Sequence, residues 1–139
     1  VKTGGMVYIL NWSSQMLLPG YPVLEARLNA TSSGIAPFDV KMKPKLHKMC
    51  ALEWFRQAGM CETMARTFVS DINTPLSQKM RKALIDLFEM RWGLDNPELP
   101  EKDRVDYYNL CKADSPDFIL NKSWYYGFFT YTLFCGQVQ

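Results

Sequence analysis

The stretch PKLHKMCALEWFRQAGMCETMARTFVSDI, residues 44–72, decides how the chain is read. Leu46, Cys50, Trp54, Ala58, Cys61, Ala65, Phe68 and Ile72 recur at spacings of three and four, the interval that places side chains on one face of an α-helix. Pro44 suits a first helical turn, where its missing N–H would have no intrahelical acceptor. Lys45, Lys48, Arg56, Glu62 and Arg66 supply polar neighbours, while Met49, Leu52, Phe55 and Met64 widen the apolar surface to two sides. The spacing predicts one long amphipathic helix from Pro44 to Ile72 that buries Trp54 and Phe68. Gly59 is its weak point, about 1 kcal/mol worse than alanine in a helix interior.

Downstream, Thr74 is placed to cap a second helix, Pro75 to open it and Gly93 to end it. Leu76, Met80, Ala83, Leu84, Leu87 and Phe88 form its apolar face. A third helix is expected near Pro100, with Glu101 and Asp103 against the positive end of its dipole and Val105, Tyr108 and Cys111 turned inward. Ser115-Pro116 opens a last element, DFILNKSWYYGFFTYTLFCG. Its aromatic and β-branched residues favour strand, its Ser-Pro-Asp start favours helix, and it is read as helix. Upstream, Gly4-Gly5, Pro19-Gly20, Pro22, Gly34 and Pro37 break any long element. Residues 1–43 therefore read as an extended, mostly irregular anchoring arm whose apolar points are MVYIL and MLLPGYPVL. The expected fold is mainly α: a small irregular helical domain over residues 44–139, with the N-terminal arm before it and an aromatic C-terminal segment.

That segment is unusual in composition. Trp124 to Gln139 carries no charge and begins WYYGFFTYTLFC. Aromatic side chains each bury roughly 150–250 Å², so a chain end this rich in them needs a core, a partner or a lipid headgroup layer to cover it. Trp124, Tyr125, Tyr126, Phe128, Phe129, Tyr131 and Phe134 are the candidate interface residues.

Cys50, Cys61, Cys111 and Cys135 form an even set without a CxxC pair, which disfavours zinc. His47 and Cys50 could share a helix face, but no further ligands accompany them, and no metal site is expected. On a continuous helix Cys50 and Cys61 would stand about 16 Å apart, beyond the roughly 4.4–6.8 Å a disulfide spans. If oxidised, each would have to pair with Cys111 or Cys135. The set resembles the twin-cysteine helical hairpins of the mitochondrial intermembrane space in number. It departs from them in spacing, with ten residues between Cys50 and Cys61 and a far wider interval from Cys111 to Cys135, so membership is not assigned. Asn11-Trp12-Ser13, Asn29-Ala30-Thr31 and Asn121-Lys122-Ser123 are glycosylation sequons.

With 139 residues, 47% of them hydrophobic and 22% charged, the chain fits one folded domain and not a disordered one. Its formal net charge of +2 gives a poor nucleic-acid footprint, and no recognition motif supports one. Residues 41–48, KMKPKLHK, concentrate four lysines and the only histidine. No stretch has the about 20 apolar residues of a membrane span, and the opening VKTGGMVYILN does not read as a cleavable signal, which leaves open a targeting peptide already removed ahead of Val1. A Gly-rich phosphate loop and a GxSxG elbow are both missing, and a Cys/His nucleophile would need His47 and a distant cysteine. No cofactor is implied. The sequence points to a non-catalytic accessory or scaffold subunit whose partners are other protein subunits, with lipid contact through the aromatic segment. The assembly is expected to be an organellar membrane complex, mitochondrial in the first instance (respiratory or ATP-synthase-type) and photosynthetic in the second. A secreted, disulfide-stapled helical binding protein is the alternative.

Overall fold

The computed structural model describes residues 1–35, 41–93 and 95–139. Pro37, read as a breaker of the N-terminal arm, lies outside the described residues. The mainly α expectation is overturned. The chain is 41% helix and 27% strand with a three-stranded antiparallel sheet, so the protein is mixed α/β.

In order, the elements are strand β1 (Met6–Met16), helices α1 (Pro22–Ala30), α2 (Ser32–Ile35) and α3 (Ala51–Gln57), strand β2 (Cys61–Asn73), helices α4 (Gln78–Trp92) and α5 (Glu101–Cys111), and strand β3 (Tyr126–Gln137). Short 3-10 turns cover Pro44–Leu46, Lys48–Cys50 and Ile119–Asn121. The stretch read as an irregular arm thus holds a strand and two helices, and the C-terminal element read as helix is the strand β3.

The predicted helix from Pro44 to Ile72 is replaced by turns, one short helix and β2. Its break has a definite cause. Gly59 takes φ +72°, Met60 N–H donates to Phe55 O at 2.9 Å, and Gly59 N–H donates to Arg56 O at 3.0 Å. These two bonds are the Schellman closure of a helix C-terminus, accompanied here by Met60 packing in the same cluster as Phe55. Beyond it, Thr63, Ala65, Thr67 and Val69 alternate with Met64, Arg66 and Phe68, and the β-branched residues favour the extended backbone.

Two compact units emerge. Unit 1 contains residues 1–15, 41–70 and 128–139; unit 2 contains 16–40 and 71–127. In unit 1, β3 lies between β1 and β2. Gly4 N–H donates to Val138 O at 2.8 Å and Val138 N–H to Gly5 O at 2.9 Å, which fixes the antiparallel start of β1 against the end of β3. Further along, Ser13 Oγ meets Thr130 Oγ1 at 2.9 Å, and on the other side Thr67 Oγ1 meets Thr132 Oγ1 at 3.0 Å. Helix α3 covers one face: Ala51, Phe55 and Phe134 are buried, with Val7, Ile9, Leu52, Trp54 and Met60 packed around them.

Unit 2 holds the larger core. Leu17, Leu18, Leu28, Leu84, Phe88, Trp92, Phe118, Ile119 and Tyr125 are fully buried. Phe88 and Trp92, four apart on α4, stack at 5.6 Å, and Tyr107 of α5 meets Trp92 edge-on at 6.3 Å. Buried polar groups are tied to the backbone. Glu25 accepts from Leu17 N–H at 3.0 Å and Leu18 N–H at 2.9 Å, and Arg91 donates to Gly34 O and to Asn29 Oδ1, both at 3.1 Å. Helix α4 is capped by Ser77, which accepts from Met80 N–H, rather than by Thr74, whose peptide bond to Pro75 is cis. It ends at Gly93 as the sequence predicts, and α5 starts after Pro100 with Glu101 and Asp103 in its first turn. Its phase differs from expectation. Asp103, Tyr107, Leu110 and Cys111 are buried, while Val105 and Tyr108 face solvent.

Candidate functional site

Alternation along each strand of unit 1 sorts its side chains onto two faces. Ser13, Thr67 and Thr132 touch one another through their hydroxyls and so mark one face. The neighbours of each in sequence then share the other face: Tyr8, Leu10 and Trp12 from β1, Met64, Arg66 and Phe68 from β2, and Phe129, Tyr131 and Leu133 from β3. This second face is open. Tyr8 is 61% exposed, Leu10 62%, Met64 52% and Phe68 45%. Those four side chains alone present on the order of 400 Å², taking a fully exposed large side chain as roughly 150–250 Å².

The centre of the face is an aromatic cluster. Trp12 lies 5.9 Å from Phe129 edge-on and 6.2 Å from Tyr131, and Phe129 and Tyr131 meet at 5.8 Å and 85°. The offset and edge arrangements suit the ring quadrupoles and hold the rings half-buried against each other. On the β2 side the Arg66 guanidinium sits 5.1 Å above the Phe68 ring, so the one charge within this set of nine side chains is itself laid on an aromatic surface. The Trp12 indole N–H donates to Ser14 O at 3.0 Å, which leaves its ring free for apolar contact. Such a face has the composition of the middle of a protein interface, rich in Trp, Tyr, Phe, Met and Arg and poor in Lys, Glu and Asp.

The structure divides the seven aromatic residues singled out from the sequence. Phe129 and Tyr131 line the open face. Phe134 is buried under α3, and Phe128 is half-buried on β3. Tyr125 is buried in unit 2, flanked by Trp124 at 56% and Tyr126 at 46% exposure. Tyr8, Leu10, Trp12, Met64 and Phe68 were not among the sequence-derived candidates. The available signal was the run MVYILNW, in which both alternating sets are largely apolar, as they are in a strand with two faces to fill.

The four cysteines carry free thiols; Cys111 and Cys135 are buried. Burial pushes the Cys111 thiol well above its ordinary range, which suppresses the thiolate that nucleophilic or metal chemistry requires. Burial likewise raises the Tyr107 and Tyr125 hydroxyls, the latter helped by the negative charge of Glu25. Among the described residues no group of three His, Cys, Asp or Glu side chains gathers as a metal site, and no helix is long and apolar enough to cross a membrane. A shallow depression of about 380 Å³ in unit 2 is walled by Tyr21, Leu24, Lys102, Asp106 and the Arg27–Asp103 ion pair. The sequon asparagines are all engaged: Asn11 Nδ2 donates to Met49 Sδ, Asn29 Oδ1 accepts from Arg91 and Trp92, and Asn121 Oδ1 accepts from Arg81. No protein-family model, no curated protein and no solved structure matches the chain.

Proposed function

We propose that the protein is a non-catalytic binding subunit that joins a larger protein assembly through the open face of its sheet. The observation that carries this reading is the aromatic face itself: Trp12, Phe129 and Tyr131 at its centre, with Tyr8, Leu10, Met64 and Phe68 exposed around them. The largest apolar patch of an ordinary monomer is about 300–600 Å², and the exposed portions of four of these side chains already enter that range. The partner is a protein with a matching apolar surface and an acidic side chain opposite Arg66, whose guanidinium lies over the Phe68 ring. The assembly proposed is an organellar membrane complex of the respiratory or ATP-synthase type, on the strength of the aromatic surplus and the uncharged last sixteen residues. The secreted, disulfide-stapled alternative is less favoured, because the four cysteines carry free thiols and Asn11 lies within β1.

The test places a photo-crosslinking residue at Leu10 or at Phe68 in the native source, with Lys82 on α4 as a control position. Both face positions are expected to capture the same discrete subunit, and Lys82 is not. The paired variant Leu10→Glu/Phe68→Glu should leave the melting temperature close to the parent while releasing the protein from its assembly. Migration of the native protein as a free monomer would overturn the proposal.

A further inference from the structure

The segment from Lys41 to Cys50 lies in unit 1; Met49 Sδ accepts from Asn11 Nδ2 and Lys45 O from the Trp54 indole, and neither donor is among the nine residues of the open face. Lys41, Lys43, Lys45 and Lys48 are all exposed. Between them Leu46 is 52% and Met49 46% exposed. A lysine run is ordinarily a solvated surface and single exposed apolar side chains are common; here Leu46 and Met49 stand three positions apart among the lysines, so positive charge and apolar surface share one short segment.

The segment is also built rather than loose. Leu46 N–H donates to Lys43 O and Cys50 N–H to His47 O, each at 2.8 Å, closing two successive 3-10 turns. The Trp54 indole N–H donates to Lys45 O at 2.9 Å and ties the turns to α3. His47 Nδ1 accepts from Met49 N–H at 3.2 Å. Among the described residues, no ion pair involves Lys43, Lys45 or Lys48.

We infer that this turn is a docking surface for an anionic lipid bilayer, with the lysines against acidic headgroups and Leu46 and Met49 in the boundary between headgroups and acyl chains. Charge complementarity selects an anionic surface, and the interleaved apolar pair selects a bilayer over a soluble polyanion. An acidic protein patch would satisfy the lysines and gain little from Leu46 and Met49. A bilayer satisfies both together, through the combination of polybasic charge and shallow apolar insertion that anchors peripheral proteins. The backbone bonds fix the main chain from Lys43 to Cys50 before contact, so less backbone ordering is required on binding.

The experiment measures partitioning of the full chain onto vesicles of phosphatidylcholine alone and of phosphatidylcholine with phosphatidylserine. Binding is expected only to the serine-containing vesicles and should vanish in about 1 M salt, where screening acts over about 3 Å. Lys43→Gln/Lys45→Gln/Lys48→Gln should weaken partitioning about 100-fold, each lysine near the surface accounting for roughly a factor of five. Leu46→Ser/Met49→Ser should weaken it about 10-fold or more through lost apolar burial. Lys79→Gln/Lys102→Gln, on α4 and α5 of unit 2, should leave it unchanged, and circular dichroism of each variant checks that it folds. These substitutions spare the open sheet face, so failure here leaves the assembly reading standing, and failure of that reading leaves this one. Equal binding to both kinds of vesicle, retention by the triple lysine variant, or binding of inorganic phosphate without any vesicle partitioning would each overturn the inference.

Discussion

Replacing Phe134 with alanine tests the sheet where the sequence pointed to a helix. Phe134 is 3% exposed and, among the described residues, shares its buried cluster with Ala51 and Phe55 alone. So small a core has few neighbours able to collapse into the space left by a ring. Truncating a buried phenylalanine costs about 3–5 kcal/mol, the upper part applying where relaxation is poor. Phe68, in contrast, stands 45% exposed on the opposite face, and its alanine variant loses chiefly the stacked Arg66, about 0.5–1 kcal/mol. Urea and thermal unfolding followed by circular dichroism measure both. At roughly 3–5 °C per kcal/mol for a chain of this size, Phe134→Ala should lower the melting temperature by about 10–20 °C and Phe68→Ala by a few degrees at most. Near-equal losses, or a larger loss at Phe68, would refute the assignment of faces and with it the register of β2 against β3.

Glu25→Gln removes a charged acceptor from the Leu17 and Leu18 amides, and chemical denaturation should show a loss of about 1–3 kcal/mol. Tyr125→Phe should be neutral or stabilising by up to about 1 kcal/mol, because the buried Tyr125 hydroxyl makes no hydrogen bond among the described residues. Stability should also fall in alkali. Cys111, Tyr107 and Tyr125 are all raised by burial from ordinary values of 9.0 for the thiol and 10.0 for the phenols. Below those values both folded and unfolded chains keep the protons. Above them the unfolded chain releases protons that the folded chain retains, so unfolding is favoured as pH rises. A pH series of melting temperatures should bend downward from about pH 9, and less steeply in Tyr125→Phe. Gly59→Ala, at φ +72° with open space around the added Cβ, should cost about 1–2 kcal/mol from backbone strain alone, read by the same unfolding assay.

The legible parts of the fold were those with local punctuation. Gly93 ends α4 and Pro100 precedes α5 because a left-handed glycine and a helix-entry proline act within a few residues of themselves. The misread part had punctuation too. Gly59-Met60 closes a helix in the chain as folded, but the apolar spacing ran straight through it. Cys61, Met64, Ala65, Phe68 and Val69 satisfy a spacing of three and four only because β2 carries apolar side chains on both faces, so its period of two is hidden. The open face was half legible for a different reason. Phe129 and Tyr131 stood out in the aromatic block, whereas Trp12 reaches them through a pairing in which Ser13 and Thr130 are 117 positions apart. No local pattern specifies a partner at that distance.

The strand order also sets a schedule for the chain as it is made. β3 separates β1 from β2, yet it is the last of the three to be synthesised. Translation at about 5–20 residues per second leaves β1 waiting roughly 6–25 s for its neighbour. During that interval Tyr8, Leu10, Met64 and Phe68 are presented on strands with no sheet to organise them, and β1 offers an uncharged edge without proline. The nascent chain is therefore a natural client for holding chaperones at the ribosome exit. Its yield in a cell should respond to their supply, and to the speed of the ribosome, more than to changes in equilibrium stability.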